Sequence, residues 1–567
     1  MFSIAKPSTP LLLLLLLPLL TTALNTTFGH TPLLGYNTYN DVACSPNQTH
    51  LRTTIHALST HALIAAGYKF FQLDCGWQGF TRSPNGSLTF DESVFPDGIA
   101  PLSALAREMG LVWSMYTNQG VYSCDTRSKE EGLRPGSLGF EREDARVFEG
   151  WGTGYVKVDN CYIEGAENNA PKDPRTDFPS RFQKMSTALQ QVGIPGILVC
   201  QWGVPYQNPT DGSLQGPATW TPPMANSFRV SDDIAPGWAN VLRIMNQNLH
   251  VIWNDNSGPG HWADMDLLEV GNSGMTIEEQ ASHFAIWAMF KSSLMISTNV
   301  PSMSEAVREI LLNRDLIAIN QDAAGKPVKL IQRFSHDKDV FAGPLENGDL
   351  AVLVLDHSNT SRVLELELAL LGISEATVKN LWTGEIVENV FEIFSETVKP
   401  HGSLPLRLSN ILLLPPPPSS GEEEEILWIE AESGLLSSDA TLQPCSSCSN
   451  STKVGSLTNS SSLTLTFPPL ASSSTTTTTQ NLLFDYINCE IGYLSSQGPN
   501  TRRAAISVND GPVQEVLFPL SGYDWGRDVA RAFVVSLEGF GGEGENRVRI
   551  GGVEGFAPDF DRVGWRG

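Results

Sequence analysis

The sequence predicts an α/β chain in three parts: a (β/α)8 TIM barrel, an antiparallel β domain and a C-terminal β-sandwich. Three observations predict it. From residue 33 to about 300, eight short apolar runs alternate with stretches whose apolar residues recur at helical spacing. Beyond Asn320-Gln321-Asp322 the pattern becomes period-two alternation with Gly and Asn turns, as in Leu350–Leu355 and Val363–Leu368. A stretch of Pro415–Pro418, Ser419-Ser420-Gly421 and Glu422–Glu425 then precedes a Ser/Thr-rich, strand-rich tail.

The barrel strands are expected at Leu33–Asn40, Lys69–Asp74, Leu111–Thr117, Tyr155–Asp159, Gly196–Trp202, Ser227–Ser231, Val251–Trp253 with the following His261–Glu269, and Ser293–Thr298. Between them, Arg52–Ala66 sets Ile55, Leu58, Ala62 and Ala65 at helical spacing and stops at Gly67. Pro101–Met109 before Gly110 and Ser180–Val192 before Gly193 repeat the device. Lys6, a Leu run over 11–20 broken only by Pro18, and Thr21-Thr22-Ala23 read as a signal peptide over residues 1–23. The barrel then occupies 24–322, the antiparallel β domain 323–414, a stiff charged linker 415–426 and the β-sandwich 427–567.

A formal net charge of −25 excludes a nucleic-acid partner, because a phosphate backbone needs a basic footprint. It suits a secreted, extracellular protein working in acid, where protonated carboxylates relieve self-repulsion. No later apolar run reaches spanning length, so no membrane partner is expected. Six sequons, at Asn25, Asn47, Asn85, Asn359, Asn450 and Asn459, fit secretion. Eight cysteines in an oxidising compartment invite pairing. Cys445 and Cys448 bracket a short turn, Cys124 and Cys161 each follow a strand, and Cys44 with Cys75 is a third candidate; Cys200 and Cys489 have no obvious partner.

Tyr155-Val156-Lys157-Val158-Asp159 concentrates the chemistry. Side chains two apart on a strand share a face, so Lys157 and Asp159 lie together at the C-terminal end of the fourth strand, where barrels of this class place catalytic groups. Other strand ends carry Asp74 with Trp77, Tyr116, Trp202, and Arg229 with Asp232-Asp233. Carboxylates flanked by aromatics describe a sugar site: pyranose C–H faces stack on indole while hydroxyls need charged partners. Glycoside hydrolysis needs two carboxylates that titrate differently. Lys157 would hold Asp159 ionised and so favour it as nucleophile, with Asp233 as the second carboxylate.

The segments Leu34–Asn40, Tyr155–Cys161, Phe228–Ile234, Gly258–Trp262, Leu267–Asn272 and Ile317–Asp322 run in order across the barrel and resemble glycoside hydrolase family 27. That family contains retaining α-galactosidases and α-N-acetylgalactosaminidases on a barrel followed by an antiparallel β domain. The resemblance implies that Asp159 is the nucleophile and Asp233 the acid/base. It also implies that Tyr36, Asp74, Tyr116, Lys157, Cys200, Trp202 and Arg229 line the sugar, that Cys124 and Cys161 form a rim disulfide, and that catalysis needs no cofactor. Cys200-Gln201-Trp202-Gly203 resembles the α-galactosidase pattern, whose large indole leaves no room for an acetamido group. Four departures stand out: Cys75 follows Asp74 where a second Asp is usual, Tyr36 replaces Trp, Gln201 replaces Glu, and Gly154 replaces Asp. The implied activity is hydrolysis of terminal α-galactosyl residues from oligosaccharides, galactomannans or galactolipids. An α-N-acetylgalactosaminidase, a β-L-arabinopyranosidase and a non-catalytic galactose lectin are the alternatives.

Trp428–Glu432 and Gly555–Val563 resemble the two ends of a family 35 carbohydrate-binding module. This implies a jelly roll with a structural calcium held by Glu430, Glu432 and Asp561. Tyr523 and Trp525 are candidate sugar platforms.

Overall fold

The computed structural model describes residues 28–125, 132–166, 173–334, 338–415, 426–469, 478–496, 498–542 and 544–565. The expected signal peptide and most of the expected linker lie outside them. Eight parallel strands form the barrel: β1 Leu34–Asn37, β2 Phe70–Leu73, β3 Val112–Asn118, β4 Tyr155–Asp159, β5 Gly196–Val199, β6 Ser227–Arg229, β7 Trp262–Asp264 and β8 Leu294–Ile296. Their order is β8-β1-β2-β3-β4-β5-β6-β7. A parallel bridge between Leu268 and Ile296, with Leu268 N donating to the Met295 carbonyl at 2.9 Å, brings the chain after β7 back to β8.

The observed strands are shorter than the expected runs, which continue into the loops at the mouth. Gly67, at φ +114°, ends the first helical segment as expected. Val251–Trp253 is corrected: it is the last turn of the helix Trp238–Trp253, and the seventh strand is β7 alone. Three apolar residues fit a buried helix as well as a strand, and Val251 and Ile252 are buried on that helix.

The antiparallel domain and the C-terminal module share one sheet. Strands Lys329–Phe334, Lys338–Pro344, Leu350–Asp356, Ser403–Leu413, Ile373–Asn380 and Ile386–Phe391 lie in that spatial order, and the first pairs in parallel with Ala530–Phe540 of the C-terminal module. The sheet continues through Thr478–Ile487, Asp559–Trp565 and Thr452–Gly455. A second, five-stranded sheet closes the sandwich over a core that includes Leu465, Phe484, Tyr486, Phe518, Phe533 and Trp565. Arg333 stands where the three parts meet. Its Nε and Nη2 each donate to Asp339 at 2.7 Å, Nη1 donates to the Leu517 carbonyl, and Nη2 reaches Asn246 Oδ1 at 3.4 Å.

Cys44–Cys75, Cys124–Cys161 and Cys445–Cys448 are disulfides with Cα separations of 4.8, 5.2 and 5.4 Å. Cys200 and Cys489 are free and buried. Among the described residues no helix is long and apolar enough to cross a membrane.

Candidate active site

Strand parity selects the side chains that face the barrel axis. Asn37, Gln72, Tyr155, Lys157, Arg229, Asp264 and Asp266 line one small internal cavity, drawn from β1, β2, β4, β6 and β7 and the residues just after β7. Asp74 continues the inward face of β2, and Asp159 that of β4.

Lys157 Nζ donates to Asp74 Oδ2 at 3.0 Å, and Asn37 Nδ2 donates to the same oxygen at 2.8 Å. The direct partner of the strand-end lysine is thus Asp74 rather than Asp159. Asp159 Oδ1 accepts from the Trp202 indole N–H at 2.9 Å and from Asn160 N at 2.9 Å. Burial pushes Asp159 above the ordinary carboxylate range; Lys157 opposes this, while Asp233 and Asp74 add to it. Burial also opposes the charge on Lys157, but Asp74 and Asp159 outweigh it and hold the ammonium protonated. The expected effect of Lys157 on Asp159 has the predicted sign, and burial exceeds it.

Trp202 reaches Asp159 through a turn with two consecutive left-handed residues, Trp202 at φ +65° and Gly203 at φ +66°. A Cβ at residue 203 would stand 2.5 Å from the Val230 carbonyl oxygen, so glycine is required there. Gln201 braces the turn: its Oε1 accepts from Gly203 N at 2.8 Å and its Nε2 donates to the Val204 carbonyl. A glutamate lacks that amide donor, so this departure serves the turn that aims the indole.

Arg229 is buried and joins three groups. Nη2 lies 3.1 Å from Asp233 Oδ1 and 2.8 Å from Asp266 Oδ2, and Nη1 donates to Cys200 Sγ at 3.5 Å. Burial pushes Asp266 up to about 6, with Arg229 opposing. The Asp233 side chain, 39% exposed, faces solvent at the mouth. Tyr116 and Tyr39 present their rings to Lys157 Nζ at 5.4 and 5.8 Å. The Tyr116 hydroxyl accepts from Cys124 N at 3.0 Å, tying this ring to the Cys124–Cys161 disulfide.

Two placements correct the sequence reading. Tyr36 points away from the mouth: its ring lies 5.1 Å from Phe71 and its hydroxyl donates to Asp41 Oδ2 at 2.5 Å. Outward parity on β1 makes Tyr36 a packing residue, and Asn37 and Tyr39 take the place at the mouth. Tyr523 is buried against the barrel, 5.1 Å from the His250 ring, so it is no sugar platform; Trp525 carries the Arg502 guanidinium 4.4 Å over its ring. The residues proposed for calcium are engaged by protein groups. Asp561 Oδ2 lies 2.6 Å from Arg531 Nη1, Glu430 accepts from the Ser449 hydroxyl, and Glu432 Oε1 accepts from Asn450 Nδ2 at 2.8 Å. Among the described residues no cluster of three His, Cys, Asp or Glu suited to a metal occurs.

The sequence reading missed Asn37, Tyr39 and Asp266. Asp266 had a signal, since it follows β7 as Asp159 ends β4. Asn37 was accessible from parity alone, two positions after Gly35.

The family model described as alpha galactosidase A matches residues 39–322, and the model of the alpha galactosidase C-terminal beta sandwich domain matches 335–408. The chain belongs to glycoside hydrolase family 27, the α-galactosidase family. A probable α-galactosidase D of Aspergillus niger is 36% identical over 389 residues, 67% of this chain and 56% of that relative; the chain thus spans little more than half of its length. The crystal structure of α-galactosidase I from Mortierella vinacea superposes with a TM-score of 0.60 at 26% identity, covering 69% of this family 27 chain and all of that one. A Saccharomyces cerevisiae α-galactosidase solved with raffinose gives 0.58 at 26% identity, covering 68% and 98%.

Proposed function

We propose that the chain is a secreted, retaining α-galactosidase. The observation that carries this is the pairing of Asp159, buried at the end of β4 and held by two N–H donors, with the half-exposed Asp233 on the buried Arg229. Asp159 attacks C1 of a terminal α-galactoside as Asp233 gives its proton to the departing oxygen. Asp233 then takes a proton from the water that opens the galactosyl-enzyme ester, restoring both groups and releasing galactose with its anomeric configuration retained. Asp74, Lys157, Tyr39 and Tyr116 form a polar and aromatic wall for the sugar. The raffinose bound by the yeast relative supports an oligosaccharide substrate.

The test follows the first-formed anomer by NMR on the nitrophenyl glycosides of α-galactose, α-N-acetylgalactosamine and β-L-arabinopyranose. The α-galactoside is cleaved about 100-fold or more faster than the others, and α-galactose appears first. An inverted product would sink the retaining mechanism, a preference for another sugar would reassign the substrate, and absence of any product would favour a lectin.

The acid limb of kcat/KM follows Asp159, which must be ionised to attack. Because burial raises its pKa, activity falls as pH drops through a value above the ordinary 3.8. Lys157→Met removes the opposing charge and moves the limb to still higher pH. An unmoved limb in that variant would show that Lys157 does not act on the nucleophile.

A further inference from the structure

The C-terminal β-sandwich meets the barrel at the loop that carries Asp233. Both oxygens of the neighbouring Asp232 are held there. Arg243 Nη1, from the helix Trp238–Trp253, lies 2.5 Å from Oδ1, and Leu494 N, from the β-sandwich, donates to Oδ2 at 2.7 Å. The same Arg243 donates through Nη2 to the Asp233 carbonyl at 3.0 Å and through Nη1 to the Gly492 carbonyl at 3.3 Å. Asn500 Nδ2 completes the junction by donating to the Arg243 carbonyl at 2.9 Å and to Gln247 Oε1 at 3.1 Å. Tyr493, between Gly492 and Leu494, packs against the barrel core. Asp232 and Arg243 are both buried, so these bonds form away from water and resist displacement.

Asp233 itself is placed differently. Its half-exposed carboxyl bonds to Arg229 at one oxygen, so the direction of the other depends on where the backbone of residues 232 and 233 sits. A misplacement of about 1 Å in a group that must meet a departing oxygen costs on the order of 100-fold in rate.

We propose that the C-terminal β-sandwich is a working part of the active site: through Gly492, Tyr493 and Leu494 it positions the Asp232–Asp233 backbone so that the Asp233 carboxyl reaches the leaving oxygen. This rests on the reading of Asp233 as acid/base. The segment acts through Asp233 and is a positioning element. Its signature is dependence on the leaving group, because nitrophenolate departs with little protonic help whereas a sugar alkoxide needs the proton.

The test uses the full chain. Leu494→Pro removes the N–H that Asp232 accepts, and Leu494→Ala keeps it. Each is assayed on nitrophenyl α-galactoside and on raffinose, with kcat/KM reporting the glycosylating step. The expected result is a loss about tenfold larger on raffinose than on the nitrophenyl substrate for Leu494→Pro, and a wild-type ratio for Leu494→Ala. Equal losses on the two substrates, or no loss, would overturn the proposal. If Leu494→Pro does not fold, Asn500→Ala, which frees the Gly492 N–H, the Arg243 carbonyl and Gln247 Oε1, is judged by the same ratio. Asp233→Asn tests the underlying reading separately, with the β-sandwich unchanged: an acid/base at Asp233 gives a loss far larger on raffinose than on the nitrophenyl substrate, and equal losses there would overturn the reading itself.

Discussion

Replacing Asp159 by Ala lowers kcat on nitrophenyl α-galactoside by at least about 10⁴-fold while galactose still binds. The expectation follows from the position of the group. Asp159 ends β4, two residues beyond Lys157 on the inward face, and its carboxylate is oriented by the Trp202 indole and the Asn160 amide. No other described carboxylate shares that pair of donors: Asp74 is engaged by Lys157 and Asn37, and Asp266 by Arg229 and Ile234 N. Those contacts survive in the variant, so the wall proposed for the sugar remains. Removing the side chain also leaves room for a small anion. Azide added to the variant restores cleavage and yields the β-galactosyl azide, since attack comes from the face that Asp159 occupied. Turnover within tenfold of wild type would remove Asp159 from the mechanism.

The second large effect is on stability. Arg333→Met destabilises the chain by about 3–5 kcal/mol at neutral pH, the range for removing one partner of a buried ion pair. Asp339 is fully buried and would lose two of its 2.7 Å partners, keeping His357 Nε2 at 2.9 Å. The same change frees the Leu517 carbonyl of the β-sandwich and Asn246 of the barrel, loosening three parts at once. The pH dependence gives a second reading of the same cause. Burial pushes Asp339 up, yet Arg333 and His357 prevail and hold it below the ordinary 3.8. A depressed carboxylate contributes stability that is present above the unfolded value and is lost as pH falls through the folded one. The gap between wild type and variant is therefore wide at pH 7 and narrows in acid, which denaturant unfolding at several pH values measures. A gap that is small, or unchanged with pH, would show that the junction does not depend on this pair.

Alternation of apolar runs with helical spacing marks a parallel barrel because each strand is buried on both faces and each helix on one, and these two periods survive in a single sequence. The ends of the strands are legible for the same reason: Asp74, Asp159 and Arg229 are charges at the close of apolar runs. Short runs blur the distinction, and Val251–Trp253 fell on the wrong side because helix and strand bury three apolar residues alike.

What the sequence by itself determined is the barrel, the antiparallel domain, the β-sandwich and the address of Asp159 beside Lys157. All of these follow from local spacing or from motifs that lie within one segment. Only the tertiary structure decided that Lys157 pairs with Asp74, that Tyr39 rather than Tyr36 meets the mouth, and that Trp202 turns back onto Asp159. It also decided that the C-terminal module grips the loop of Asp233 through Leu494. These contacts join residues tens to hundreds of positions apart, and their energies depend on burial and direction, which spacing along a chain does not encode.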